Sequence, residues 1–341
     1  MNILYLPIEF DKWFSAKKLS HSIGVGMMGG FTSDTNHITI PLMYHKDKWL
    51  KYVKQLVGSQ KFDQVWLEVV HSIIPEDILE WLSTLAPIRV GFIIESLSMS
   101  PEEFNDNPVG TQRRIDNLNS KLSYLTHAVV CDRRDLKAFD IPTMFYSVTV
   151  PERLVKIPNS TNDPALFYGT SYGDRGEWID ILENKLIVNP PSPDDYSNLP
   201  ALFEQLFAQE FEIFEYKKFF GYWYHIRQAI YSQWIEHLHS FKSCALVNLP
   251  HRTAVASGRV IESMASGKPV LSQLLKNEGD DLFEDGENIM YYNDPDSLIE
   301  CINILQNDPD LRFKIAENAR INILENYTTE VLIKRILEFT L

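Results

Sequence analysis

A chain of 341 residues, 45% apolar and 23% charged, has the material for two hydrophobic cores and is expected to fold as two domains. Its net charge of −14 excludes broad electrostatic attraction to nucleic acid and leaves only a local basic patch for such a role. No apolar run approaches the roughly 20 residues that cross a bilayer, the N-terminus meets an acid at Glu9 with no basic leader, and Cys131, Cys244 and Cys301 show neither paired nor metal-type spacing, so a reduced, cytoplasmic protein is expected.

Residues 2–8 form a short apolar strand candidate. The glycine-rich run that follows, with Gly24, Gly26, Gly29 and Gly30, starts too late and has the wrong spacing for a dinucleotide fingerprint, and a flexible loop reads equally well. A helix is expected over 47–57 and a strand over 64–70. His71 comes directly after that strand, where it suits an acceptor-orienting group, an alternative base or a capping histidine. Pro75-Glu76-Asp77 opens a helix to about Leu85, with proline and acids in its first turn. The next strand, Arg89 to Ile94, runs into Glu95, which is either a solvated strand-end carboxylate or a general base. A helix around 111–125, the strand Ala128–Cys131, a short helix and the strand Thr143–Tyr146 complete the first half. This alternation predicts a parallel sheet covered on both faces.

Ser147 to Pro164, with three prolines and a polar run, reads as an interdomain linker. Beyond it, strands are expected at Leu166–Tyr168, Leu186–Asn189, Ala245–Leu249, Pro269–Ser272 and Ile289–Tyr292, and helices at Leu298–Leu305, Leu311–Glu325 and 328–341. The aromatic stretch 201–241 reads as helical packing in preference to a membrane-surface helix, because Glu210, Glu212 and Glu215 would repel anionic lipid.

In open parallel sheets, ligands bind beyond the carboxyl ends of strands. There the chain carries Gly169, Thr170 and, opening a helix, Arg175, which is either a pattern that lets a diphosphate approach the backbone and neutralises it or an ordinary strand–helix turn with a surface arginine. Farther on, His251 lies in a loop after a strand as a candidate sugar or phosphate contact, or an incidental loop histidine. Ser257 and Gly258 then lead into a helix whose first turn holds Arg259 and Glu262. That three-residue spacing suits a phosphate and a ribose on one helix face, and suits a surface ion pair as well. No cluster of histidines, cysteines and acids has metal spacing, so no cofactor and no divalent ion is indicated.

Tyr168-Gly169-Thr170-Ser171 and Arg259-Val260-Ile261-Glu262-Ser263-Met264-Ala265-Ser266 resemble the donor-site opening and helix of GT-B glycosyltransferases, notably the spore-maturation-type family and the phage DNA β-glucosyltransferases. The resemblance covers about 165–330, roughly half the chain, and takes in the later run Leu282–Asn288 and Asp308-Pro309-Asp310. It implies an α/β fold of two Rossmann-like domains facing a cleft. An acceptor-binding domain would span 1–155, with the helix 328–341 packing back on it, and a donor-binding domain 160–327. It further implies Arg175 and Arg259 on the diphosphate, Glu262 on the ribose, and the glycine loop 24–30 near acceptor or sugar phosphate. Many retaining members carry a carboxylate eight residues before the ribose-binding glutamate, whereas this chain has Ala254, which tilts the expectation towards inversion with Glu95 as base.

The expected function is hexosyl or pentosyl transfer from a nucleoside-diphosphate sugar, uridine-based, to an acceptor hydroxyl of open class, with DNA disfavoured by the net charge. The alternatives are a nucleotide-sugar epimerase or phosphorylase on the same fold, and a non-catalytic sugar-nucleotide-binding protein.

Overall fold

The computed structural model describes residues 1–9, 30–31, 35–40, 42–43, 48–97, 108–169, 171, 174–190, 213–250, 258–275 and 283–341. Two parallel sheets organise it. The first contains β1 (Asn2–Leu6), β3 (Asn36–Thr39), β5 (Gln64–Glu68), β6 (Ile88–Ile93), β7 (His127–Val130) and β8 (Thr143–Phe145), in the order β3-β1-β5-β6-β7-β8. A short parallel pair, β2 (Ile8–Glu9) and β4 (Leu42–Met43), continues beyond β1 and β3. The second sheet has the order β10-β9-β11-β12-β13, from β9 (Ala165–Phe167), β10 (Leu186–Val188), β11 (Leu246–Asn248), β12 (Val270–Ser272) and β13 (Met290–Tyr291). Both sheets reverse strand order once, between β1 and β5 and between β9 and β11. Such a reversal opens a crevice at the carboxyl ends of the two flanking strands.

The central strands read as unbroken apolar runs because helices cover both sheet faces. Every residue of β5 is buried, including the polar Gln64 and Glu68. The helix Glu76–Leu85 buries Ile78, Leu79, Leu82 and Leu85, the stripe its sequence spacing predicts. Asp294 caps the helix Pro295–Asn307 through the Ser297 amide at 2.7 Å. In the long helix Ile213–Ser240 the described side chains Ile230, Tyr231, Ile235 and Leu238 are buried, as the packing reading expects. The edge strand β3 is absent from the sequence reading: Asn-His-Ile-Thr is short, half polar and only partly buried, so it carries little periodic signal.

The proline-rich segment after β8 is tied down by backbone hydrogen bonds. Val150 exchanges two of them with the start of the last helix, Val150 N–H to Tyr327 C=O at 3.1 Å and Thr329 N–H to Val150 C=O at 3.0 Å. Lys156 N–H donates to Ala265 C=O at 2.7 Å and Asn159 N–H to Gly267 C=O at 2.9 Å. The helix Thr329–Phe339 lies against the amino ends of first-sheet strands: Gln64 Nε2 donates to Thr340 Oγ1 at 2.8 Å, and the Phe339 ring meets His127 edge-on at 5.3 Å. Gly30 packs directly on Thr329 and is the one member of the glycine-rich candidates among the described residues. Cys131, Cys244 and Cys301 are free thiols.

Candidate functional site

At the switch point of the second sheet, β9 ends on Phe167 and β11 on Asn248. Between them stands Arg259, from the first turn of the helix Gly258–Ala265. Its Nε donates to Tyr168 C=O at 2.5 Å and its Nη1 to Asn248 Oδ1 at 3.0 Å, and its guanidinium lies over the Phe167 ring at 5.0 Å. Asn248 is itself buried and braced by its neighbours. Its Nδ2 donates to Ser272 Oγ at 2.9 Å across the β11–β12 register, and Tyr292 OH donates to its carbonyl at 2.7 Å.

Gly169 faces the same guanidinium, at φ +155. A Cβ there would come within 2.4 Å of Arg259 Nη2, so only glycine lets backbone and cation meet. Asn189, just past β10 and in the left-handed region at φ 45, clamps the Gly169 peptide: it accepts from Gly169 N–H and donates to Gly169 C=O, both at 2.9 Å.

Arg175 also stands by Phe167, 5.6 Å from the ring, and is 1% exposed. Its guanidinium donates to the carbonyls of Pro250 at 2.7 Å and Leu249 at 3.3 Å, holding the chain that leaves β11. Glu262 is 1% exposed and turns toward the long helix, where it accepts from Trp234 Nε1 at 3.0 Å and from Tyr231. Burial, the Glu262 charge and that bond together push the Tyr231 phenol far above its ordinary value. Trp234 packs edge-on against Tyr168 at 5.0 Å, and Tyr168 OH bonds His237 Nε2. Arg259 and Glu262 therefore reach the same residue, Tyr168, from its carbonyl and through its ring neighbour. Arg175 shares the Phe167 ring with Arg259. Gly258 is buried at the helix start, while Thr170, His251, Ser257, Gly24, Gly26 and Gly29 lie outside the described residues.

A second polar cluster sits at the carboxyl ends of β5 and β6. His71 Nδ1 faces Glu68 Oε1 at 3.2 Å and its Nε2 faces Glu95 Oε1 at 3.2 Å, so the two sequence candidates are adjacent. Arg114, from the helix Pro108–Leu122, pairs with the other Glu95 oxygen. Glu95 is 38% exposed at its side chain, against 12% for His71 and 2% for Glu68, so Glu95 is the member open to an incoming molecule. Burial works to raise the Glu68 carboxyl, but the His71 side chain and the amides of His71 and Ser72 bring it below its ordinary value. Lys121 braces the loop from behind, donating to Val69 C=O at 3.1 Å and Asn117 C=O at 2.6 Å, and burial pushes its ammonium down to about 8.

Sequence reading missed Asn189, Asn248, Trp234, Glu68 and Arg114. Both asparagines close strands, so the rule that ligands gather at carboxyl ends points to them. Glu68 was hidden inside an apolar run, and Arg114 and Trp234 carry no local signal. Among the described residues, no three His, Cys, Asp or Glu side chains group as a metal site, and no helix is long and apolar enough to cross a membrane.

The family model described as glycosyl transferase-like matches residues 201–338. No curated protein sequence matches. Among solved structures, HepE of Anabaena in complex with UDP superposes with a TM-score of 0.56 at 14% identity, over 99% of each chain. Sucrose-phosphate synthase from Thermosynechococcus elongatus gives 0.58 at 12% identity, covering 99% of this chain and 98% of that one. An α-glucosyltransferase solved with UDP and a 13-mer DNA containing an HMU base gives 0.58 at 11% identity, covering 100% of this chain and 99% of that one. The expected resemblance to GT-B glycosyltransferases is borne out: two Rossmann-like parallel sheets in one chain, superposing over nearly full length on structures of that fold.

Proposed function

We propose that this chain is a glycosyltransferase that moves a sugar from a uridine-diphosphate sugar to an acceptor hydroxyl with inversion at the anomeric carbon. The observation that carries the reading is Arg259: a cation at the switch point of the second sheet, fixed by two hydrogen bonds and lying against a bare glycine backbone. A phosphate fits that combination, because charge, helix N-terminus and close backbone approach act together. The family match over 201–338 and the neighbours solved with UDP support the same donor class.

In this reading residues 160–327 bind the donor and residues 1–155, with the last helix, bind the acceptor. Arg259 neutralises the diphosphate as the glycosidic bond breaks and its electron pair passes to the leaving phosphate oxygen. Arg175, buried and bonded to the carbonyls of 249–250, holds the chain just past β11 and adds positive potential beside Phe167. Glu262 takes the ribose hydroxyls at the far end. The acceptor oxygen forms the new bond to the anomeric carbon while its proton passes to Glu95, whose two oxygens face His71 and Arg114. No metal is called on, and the acceptor is a small-molecule, glycan, lipid-linked or protein hydroxyl in preference to DNA, which the net charge of −14 repels.

The test is incubation with a panel of UDP-sugars, following free UDP and product anomeric configuration by NMR. UDP release with an inverted product is expected. Binding without UDP release supports the non-catalytic reading, an isomerised nucleotide sugar supports the epimerase, a sugar phosphate supports the phosphorylase, and a product of retained configuration removes Glu95 as base.

A further inference from the structure

We infer that Glu68 is a positioning residue: its buried carboxylate holds residues 70–72 by their amides and fixes His71 with Nδ1–H turned inward, so that Nε2 is presented to Glu95. This rests on the reading of Glu95 as the group that takes the acceptor proton.

The argument is a count of donors. An ionised carboxylate offers about four lone-pair sites and no hydrogen to give. Glu68 Oε1 accepts from the amides of Val70 and His71, both at 2.7 Å, and faces His71 Nδ1 at 3.2 Å. Its Oε2 accepts from the Ser72 amide at 2.9 Å, and Ser72 Oγ returns a bond to the Glu68 carbonyl at 2.6 Å. Three donor positions meet at Oε1 and one at Oε2, an arrangement of N–H groups and a ring nitrogen that suits an ionised carboxylate. The carboxylate is the charged partner, so the hydrogen between Glu68 and His71 resides on Nδ1, which sets the ring's tautomer and orientation. Nε2 is left facing Glu95 Oε1 at 3.2 Å.

Arg114 pairs with the opposite Glu95 oxygen, and Nε2 is the His71 atom that faces Glu95 Oε1. The four side chains stand in line as carboxylate, imidazole, carboxylate and guanidinium, from Glu68 through His71 and Glu95 to Arg114. Among the described residues, the charge of Glu68 also couples to Lys121, Tyr5 and Tyr146. The two tyrosines stay neutral in their buried sites, where burial and the Glu68 charge both push their phenols up. Lys121 is spent on backbone carbonyls. None of them competes for the His71 ring. Glu68 thus acts on Glu95 through His71 without approaching the substrate itself.

Two measurements test this on the full chain. Nitrogen-15 NMR of the wild-type protein at neutral pH should show His71 with a protonated Nδ1. An Nε2-only protonated ring would overturn the inference, and this result is independent of any transferase activity. In Glu68→Gln the Nδ1 signal should move, kcat should fall about 100-fold for a displaced catalytic group, and the donor KM should stay at its wild-type value. An unchanged kcat in Glu68→Gln, with Glu95→Gln inactive, would sink the positioning role while leaving the transferase reading in place. If no UDP-sugar is turned over by any form, the transferase reading falls and the wild-type spectrum still decides the tautomer. Should Glu68→Gln fail to fold, the same spectrum is sufficient.

Discussion

Replacing Gly169 by alanine probes the proposed phosphate site with one added methyl group. The new Cβ would stand 2.4 Å from Arg259 Nη2, 3.1 Å from Arg259 Cζ and 3.0 Å from the tip of the Phe167 ring. Ordinary carbon contacts begin near ~3.5 Å, so the guanidinium must retreat by about 1 Å. It is not a loose side-chain end: the bonds to Tyr168 C=O at 2.5 Å and Asn248 Oδ1 at 3.0 Å hold it, and both lengthen as it moves. A hydrogen bond between a charged group and a phosphate contributes about 1.5–3 kcal/mol, which converts to a Kd for UDP roughly 10- to 100-fold weaker if that contact is lost. The backbone at φ +155 adds a strain of about 1–3 kcal/mol to any non-glycine residue. Gly58→Ala provides the control. Gly58 closes a helix at φ +60 with nothing within 4 Å of a built Cβ, so it tests backbone strain without the clash. Calorimetric titration with UDP and thermal melts on both variants separate the effects. Both should melt lower, and only Gly169→Ala should lose UDP affinity. Equal UDP affinity in Gly169→Ala and wild type would refute the placement of the diphosphate against Arg259.

Glu262→Ala should weaken UDP binding and lower the melting temperature together, because it removes the ribose acceptor and strands the Trp234 N–H that donates to it at 3.0 Å, at a cost of about 1–3 kcal/mol. Unchanged UDP affinity would detach Glu262 from the ribose. Glu95→Gln should bind UDP-sugar normally in titration and lose turnover by roughly 100-fold or more, the ordinary worth of a general base. Retained turnover would remove it from the chemistry. Lys121 and Lys268 are both pushed down by burial from 10.5 to about 8, so between those values the unfolded chain binds protons that the folded one has released. These two groups therefore make stability rise with pH from about 8 to about 10. Above that range the buried phenols of Tyr5 and Tyr292, raised by burial from 10.0, act in the opposite sense. Denaturant midpoints across that window should show Lys121→Met less stable than wild type at neutral pH but with a shallower rise, and an identical slope would show that Lys121 does not titrate there.

The sequence by itself determined most element types, the α/β class and the neighbourhood of the proposed donor site. Apolar runs bounded by turn residues mark the strands, acids and prolines mark helix starts such as Pro75-Glu76-Asp77, and glycine followed by arginine marks the end of β9. All of these are local, and local patterns survive without knowledge of the fold. Tertiary structure alone decided the strand order: the reversal between β9 and β11 places Asn248 beside Phe167, and the pairing of β5 with β6 places Glu95 beside His71, 24 residues away in the chain. It also decided what each charge does. Arg175 and Arg259 look alike in sequence, yet one is buried on two backbone carbonyls and the other lies against an open glycine. The reason is that a side chain's partners come from strands paired across long loops, and pairing depends on how whole faces bury together, which no short window of residues records.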